Sequence, residues 1–419
     1  MSTAPPLRRT LPLLVLLVAL TGCASKPMIV PTPAPPPPPP WAGTLTLWAP
    51  EPPAAAGGRE ALEQRLSAFM AAHPSVQVRL EIKPDVAAAL VVKEAVRPDL
   101  AFAAFDPHLW PQGCPDLPED ATLPAADWLP GVAAAFAPAG RLCGVPLYLQ
   151  GQVLALNLAA WKAAGVEPPA GGHWSLEQFE TALKALSGRG MAPLSFFALP
   201  GYDAWWPLLL ADDGRLLDGV GRELTLTETA LRRLAAWEQA GLIDPDAGKL
   251  PPEQVYAAFA ANPPRLAMLP VPARLLPNFQ LPPYRVEQLG VAAFPDGANL
   301  GRLYGFLLTG GAEAPRRAAA VQLAQALADA PAQVAWARSE GGFPAARGAG
   351  NPYRGDAALT AAQAAVERVE PLPGGAWWGK AEPLLTRHLQ LAVIGGESPA
   401  DALSASRSAL TPFLREAGT

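Results

Sequence analysis

A chain of 419 residues, half of them hydrophobic and 16% charged, is long enough for two domains with cores of their own. Its 37 Gly and 51 Pro are about a fifth of the residues, below the rough 25–30% of low-complexity chains, which excludes collagen-like and wholly disordered states. With 32 Lys and Arg against 37 Asp and Glu there is no basic footprint for nucleic acid, and four scattered histidines (His73, His108, His173, His388) argue against a zinc or two-metal site.

Arg8 and Arg9 precede an apolar run from Leu11 to Leu20, the charged and hydrophobic regions of an export signal over residues 1–22. The run falls short of the ~20 residues that span a bilayer. Leu20-Thr21-Gly22-Cys23 resembles the bacterial lipobox, so Cys23 is expected to carry a lipid; an ordinary signal peptide with an incidental Cys is the alternative. Eight prolines between Pro31 and Pro40 favour extended polyproline II, which makes residues 23–42 a semi-rigid tether behind the lipidated Cys. Cys114 and Cys143 are then an even pair in an exported chain, expected as a disulfide, with two separate buried thiols as the alternative.

Thr44-Leu45-Thr46-Leu47-Trp48 alternates as a strand, and Leu62, Leu66, Phe69 and Met70 recur at helical spacing up to Pro74. Val76, Val78, Leu80 and Ile82 alternate again, which gives a parallel βαβ unit. Pro98-Asp99 leads into a buried strand from Leu100 to Phe105 that ends at Asp106. Strands are expected over 142–149 and 153–158 around a Gly-containing break, and Ser175-Leu176-Glu177-Gln178 reads as a capping box that opens a helix with Phe179, Leu183 and Leu186 on its apolar stripe. Helices are expected over 227–240, 252–261 and 315–329, a strand over 265–269, and a last helix from Ser398. The body is therefore α/β, helix-rich in its second half.

Several segments, in order, resemble one family. They are Gly43–Trp48; Phe69-Met70-Ala71-Ala72-His73-Pro74 with its following strand; Pro98-Asp99-Leu100; Gly144-Val145-Pro146-Leu147-Tyr148 through Asn157; Gly165 to Phe179; Gly342-Phe343-Pro344-Ala345; and Ser398-Pro399 to Leu403. Together they resemble the extracellular solute-binding proteins of ABC transporters, in the sugar-binding, maltose-binding-protein-like group (family 1). The resemblance implies a two-lobed clamp of the type II periplasmic-binding-protein class, with mixed β-sheets flanked by helices. It implies a first lobe of residues 43–150 plus 270–312, a second of 151–269 plus 313–419, hinge closure on a small solute, and no catalysis. It also implies no cofactor and no metal, a permease in the membrane as partner, a membrane contact through the lipid alone, and a monomer held on the outer face of the cell membrane or in the periplasm.

A sugar presents polar edges and an apolar face, so its site needs aromatic platforms ringed by carboxylates and amides. The resemblance places Trp48, Glu51, Asp106, Gln150, Tyr202, Trp205, Arg274, Tyr304, Trp377 and Trp378 at or near the cleft. For each Trp, packing in the core is the alternative. Ala103 and Arg274 stand where the family has aromatic platforms, which argues against a long maltodextrin; Arg274 would suit an acidic or phosphorylated sugar, or an ion pair. A hydrolase reading fails for lack of paired carboxylates, since Asp212-Asp213 before Gly214 reads as a turn, and no Gly-x-Ser-x-Gly elbow or phosphate loop is present. The same clamp for a polyamine, peptide or metal chelate, or a sensor lipoprotein without transport, stays open.

Overall fold

The computed structural model describes residues 41–90, 92, 96–109, 127–137, 141–197, 204–211, 215–218, 223–309, 313–366, 368–375 and 377–416. The export signal, Cys23, the Pro-rich run, Cys114 and Tyr202 lie outside the described residues.

The opening βαβ unit forms as its periodicity requires. Strand β1 (Gly43–Ala49) leads to helix α1 (Gly58–Ala72), which buries Leu62, Leu66 and Phe69 and gives way to β2 (Val76–Ile82). The two strands pair in parallel from Gly43↔Val76 to Ala49↔Ile82. Then come α2 (Val86–Leu90), β3 (Leu100–Ala104) and α3 (Val132–Phe136). Asp99, just before β3, is buried. It accepts from the Thr46 amide at 2.8 Å and pairs with Arg316 at 2.6 Å, which ties a later helix to β1 and β3.

Strands β4 (Gly144–Gln150) and β5 (Gln152–Asn157) are separated by Gly151 alone, and they belong to different sheets. The Asn157 side chain caps α4 (Leu158–Ala164), and the Ser175–Gln178 capping box starts α5 (Leu176–Ser187). The chain continues through β6 (Ala192–Leu194), α6 (Glu228–Gln239), capped by Thr227, α7 (Pro252–Phe259), β7 (Leu266–Pro272) and β8 (Leu289–Ala292). It then forms β9 (Leu300–Leu308), α8 (Ala314–Leu327), α9 (Ala330–Glu340) and β10 (Phe343–Pro344). Last are α10 (Ala357–Ala365), β11 (Glu370–Pro371), α11 (Trp378–Val393) and α12 (Pro399–Glu416).

Among the described residues the first sheet runs β10-β4-β9-β3-β1-β2, with β11 against β9; the second runs β6-β7-β5-β8. Period-two alternation splits β5 between two cores. Val153 and Ala155 join the core that runs along the first sheet and across to one face of the second, whereas Leu154 and Leu156 join the core under α4, α5, α6, α11 and α12.

Residues 270–312, expected with the first lobe, divide differently. β7 and β8 flank β5 in the second sheet, and the chain returns to the first only with β9, which runs antiparallel between β3 and β4. Helices α8 and α9, expected with the second lobe, pack on β4 of the first sheet, α8 also against α1. Long-range strand register decides these assignments, and local periodicity carries no trace of it.

Where the chain crosses between sheets, the backbones lie close. A Cβ on Gly301 would sit 2.2 Å from the Gln150 carbonyl oxygen. Next to it the buried Asn299 amide takes the place of a strand beyond the end of β8. Its Oδ1 accepts from the Gln152 amide at 3.0 Å, and its Nδ2 donates to the Gln152 carbonyl at 2.8 Å. Cys143, at the start of β4, is disulfide-bonded.

Candidate functional site

A cavity of about 550 Å³ opens between the first sheet and the start of α11, which belongs to the second core. Its floor is aromatic for a reason that lies in the strand register. Tyr304 on β9 is the direct partner of Tyr148 on β4 and of Ala104 on β3. The two tyrosine rings therefore stack, 4.7 Å apart and 8° from parallel. Trp336 of α9 lies nearly parallel to Tyr148 at 6.4 Å and touches Phe102 of β3 at 4.7 Å. The small side chains of Ala103 and Ala104 leave the space above the sheet open.

Charged groups rim this floor. Glu51 comes from the loop after β1, Asp85 from the turn before α2, Glu340 from the end of α9 and Arg302 from β9. Burial holds the Glu340 carboxyl above the ordinary carboxylate range. Burial also pushes the Tyr148 hydroxyl far up, with Tyr304 and Glu340 adding to the shift. The Tyr304 hydroxyl is raised by burial against the opposing pull of Arg302. Both phenols thus stay neutral and can donate or accept hydrogen bonds at any ordinary pH.

A second, smaller pocket of about 50 Å³ lies at the crossing between sheets, lined by Gln150, Arg274, Arg302, Gly341 and Leu372 among others. Arg302 lines both spaces. The Gln150 amide is fixed there by donating to the Glu340 carbonyl at 3.3 Å.

The residues singled out in the sequence separate into groups. Glu51, Tyr304 and Trp378 line the large cavity, and Gln150 and Arg274 line the small one. Asp106 and Trp377 line neither. They bond to each other, Trp377 Nε1 donating to Asp106 Oδ2 at 2.9 Å, and Asp106 also accepts from the His108 amide at 3.0 Å. That contact joins the loop after β3 to the start of α11. Trp48 lies under the Lys83 ammonium, 4.7 Å from its ring centre, away from the cavity lining. Trp205 is wholly buried and stacks on Phe196 at 4.9 Å, so it is a core residue here and not a platform. Among the described residues no group of three or more His, Cys, Asp or Glu side chains is placed to hold a metal ion, and no helix is long and apolar enough to cross a membrane.

An aromatic floor and polar rim between two α/β units fit a clamp that encloses a small molecule. The sequence profile of the bacterial extracellular solute-binding proteins matches residues 64–365. The chain belongs to that family. Its members bind solutes and are not enzymes, and they work outside the cytoplasm. No curated protein is similar enough to match. Among solved structures, the sugar-binding protein MalE of Xanthomonas citri is 18% identical at a TM-score of 0.65, covering 89% of this chain and 98% of its own. M. tuberculosis UspC is 18% identical at 0.63, covering 88% and 100%. A cyclic alpha-maltosyl-1,6-maltose binding protein from Arthrobacter globiformis is 16% identical at 0.61, covering 90% and 100%. At such identities the likeness carries the two-lobed fold.

Among the lining residues of this solute-binding protein that sequence reasoning missed are Phe102, Tyr148, Trp336 and Glu340, and the rim charges Asp85 and Arg302. Tyr148 had a signal, since it ends the Gly144–Tyr148 segment and faces Tyr304 once β4 and β9 are paired. Trp336 and Glu340 had one as well, four residues apart and so on one face of a helix.

Proposed function

We propose that this solute-binding protein is the lipid-anchored receptor of an ABC importer and captures a carbohydrate between its lobes. The observation that carries the carbohydrate reading is the stacked Tyr148–Tyr304 pair beside Trp336, set in a cavity rimmed by Glu51, Asp85, Glu340 and Arg302. Flat rings accept the C–H face of a pyranose, and the charged rim meets its hydroxyls. The names of the structural neighbours, two of them sugar or cyclic-maltosyl binders, support the same reading. In it the lobes meet at the crossings near Gly151, Asn299–Gly301 and Leu372, and closure about these crossings presents the loaded clamp to the permease as a monomer.

Thermal unfolding of the full chain in detergent, with mono-, di- and oligosaccharides and with polyamines and peptides, tests the ligand class. A ligand that binds only the folded state raises the melting temperature, by about 2.7 kcal/mol of stability at a hundredfold excess over Kd. A rise with a sugar that Tyr304→Ala reduces supports the reading; a rise confined to polyamines or peptides replaces it. For the anchor, Cys23→Ser should move the protein from the membrane to the soluble exported fraction. Retention of the variant on the membrane would refute lipid attachment at Cys23.

A further inference from the structure

We propose that the solute bears an anionic group, a carboxylate or a phosphate, and that Arg274 and Arg302 grip that group in the small pocket at the crossing between lobes. This rests on the carbohydrate reading and narrows its substrate class. The two guanidinium groups come from different sheets: Arg302 is on β9 of the first, and Arg274 follows the end of β7 in the second. Both line one space of about 50 Å³, which has room for a carboxylate or phosphate but not for a sugar ring.

Several other arginines are matched with acids, Arg59 with Glu63 at 2.8 Å, Arg65 with Asp329 at 2.8 Å and Arg316 with Asp99 at 2.6 Å, while Arg347 and Arg407 bond to backbone carbonyls. Among the described residues neither Arg274 nor Arg302 has a carboxylate partner. Two like charges that share a small pocket repel, and an anion placed between them turns that repulsion into charge-assisted bonds.

The charge layout also orients the ligand. Glu51 and Asp85 line the large cavity alone and Arg274 the small pocket alone, Arg302 is common to the two spaces, and Glu340 of the large cavity adjoins Gly341 of the small one. A sugar ring on Tyr304 would therefore point its acidic substituent toward the crossing and its hydroxyls toward the carboxylates. Because each lobe supplies one arginine, an anion held by both favours the closed form over the open one, which links this substituent to closure.

The test is isothermal titration of the full chain in detergent with matched probes: glucose, galactose and their disaccharides, the corresponding uronates, the 6-phosphates and the amino sugars, with inorganic phosphate alone. The expected result is a uronate or a 6-phosphate that binds about tenfold or more tightly than its neutral parent, a preference that Arg274→Gln abolishes. The uronate and phosphate arms tell the two anions apart. Arg274 is exposed, so the variant should keep the wild-type melting temperature and a loss of binding cannot be put down to misfolding. A neutral or amino sugar that binds as tightly as the acid, unaffected by Arg274→Gln, would overturn the anion pocket and leave the carbohydrate reading standing. Binding of inorganic phosphate that requires Arg274, with no sugar bound, would uphold the pocket and overturn the carbohydrate reading. Failure of every probe would overturn both.

Discussion

Asn299 offers the sharpest perturbation of the crossing. Strand β8 stops pairing with β5 at Leu154↔Ala292, so the Gln152 amide and carbonyl would face no strand on that side. The Asn299 side chain supplies both missing bonds, at 3.0 and 2.8 Å, from a position only 3% exposed. Asn299→Ala removes two buried hydrogen bonds and strands a backbone donor and acceptor in a space that water does not readily enter. Each stranded group costs about 1–3 kcal/mol, so for the two together a loss of about 2–6 kcal/mol is expected. Asn299→Asp should do no better, because it keeps the acceptor but sets a carboxylate against the Gln152 carbonyl. Urea unfolding of wild type and both variants, followed by tryptophan fluorescence and by circular dichroism, measures the loss and shows whether the lobes still unfold together. A change below about 0.5 kcal/mol for Asn299→Ala would refute the account, since that is the scatter of a surface substitution.

Tyr304→Ala should weaken the carbohydrate bound on the aromatic floor by about three- to tenfold, read by titration, since a ring stack is worth about 0.5–1.5 kcal/mol. Trp205→Phe should lower the melting temperature yet keep the affinity, which separates a core tryptophan from a platform. Glu340 gives a pH signature. Burial raises its folded pKa above the unfolded one, so its contribution is full at acid pH and is lost as pH climbs through the folded value. Glu340→Gln does not titrate, so relative to wild type it should gain stability as pH rises from the ordinary glutamate range through the raised folded value in paired melts. Gly374→Ala would bring a Cβ within 2.4 Å of Ala104 Cβ, force the segment before α11 off β3, and weaken solute binding; Gly188→Ala, which faces open space, should leave binding unchanged.

Most local structure was legible in the sequence. The βαβ opening, the buried strand after Asp99, the Ser175 capping box and the helices starting near residues 228, 252, 314 and 399 all follow from periodicity and cap chemistry, which act over a few residues. What stayed hidden depends on distant partners. The run Leu266–Pro272 is buried throughout, so its alternation does not say which sheet it joins, and the crossing was set near residue 270 when it falls at Leu300. The cleft was half legible for the same reason. Glu51, Tyr304 and Trp378 could be placed by resemblance, but Tyr148 enters the floor only through its register with Tyr304. Asp106 and Trp377 were read as sugar contacts, yet they are spent on each other.

The position of β9 has a consequence for how this protein is made. The strand that separates β3 from β4 is residues 300–308, so a ribosome that has delivered all of β1 to β4 has still delivered no centre for their sheet. Until Leu300 emerges, β3 and β4 have no neighbour to pair with across that gap, and the first half of the nascent polypeptide cannot close. For a secreted product this delay is useful, because a chain that cannot finish folding early stays thin enough to thread through a translocation channel. The same delay makes truncation hazardous: a fragment that ends before β9 would leave the β9-facing edges of β3 and β4 both unpaired, an open template for aggregation.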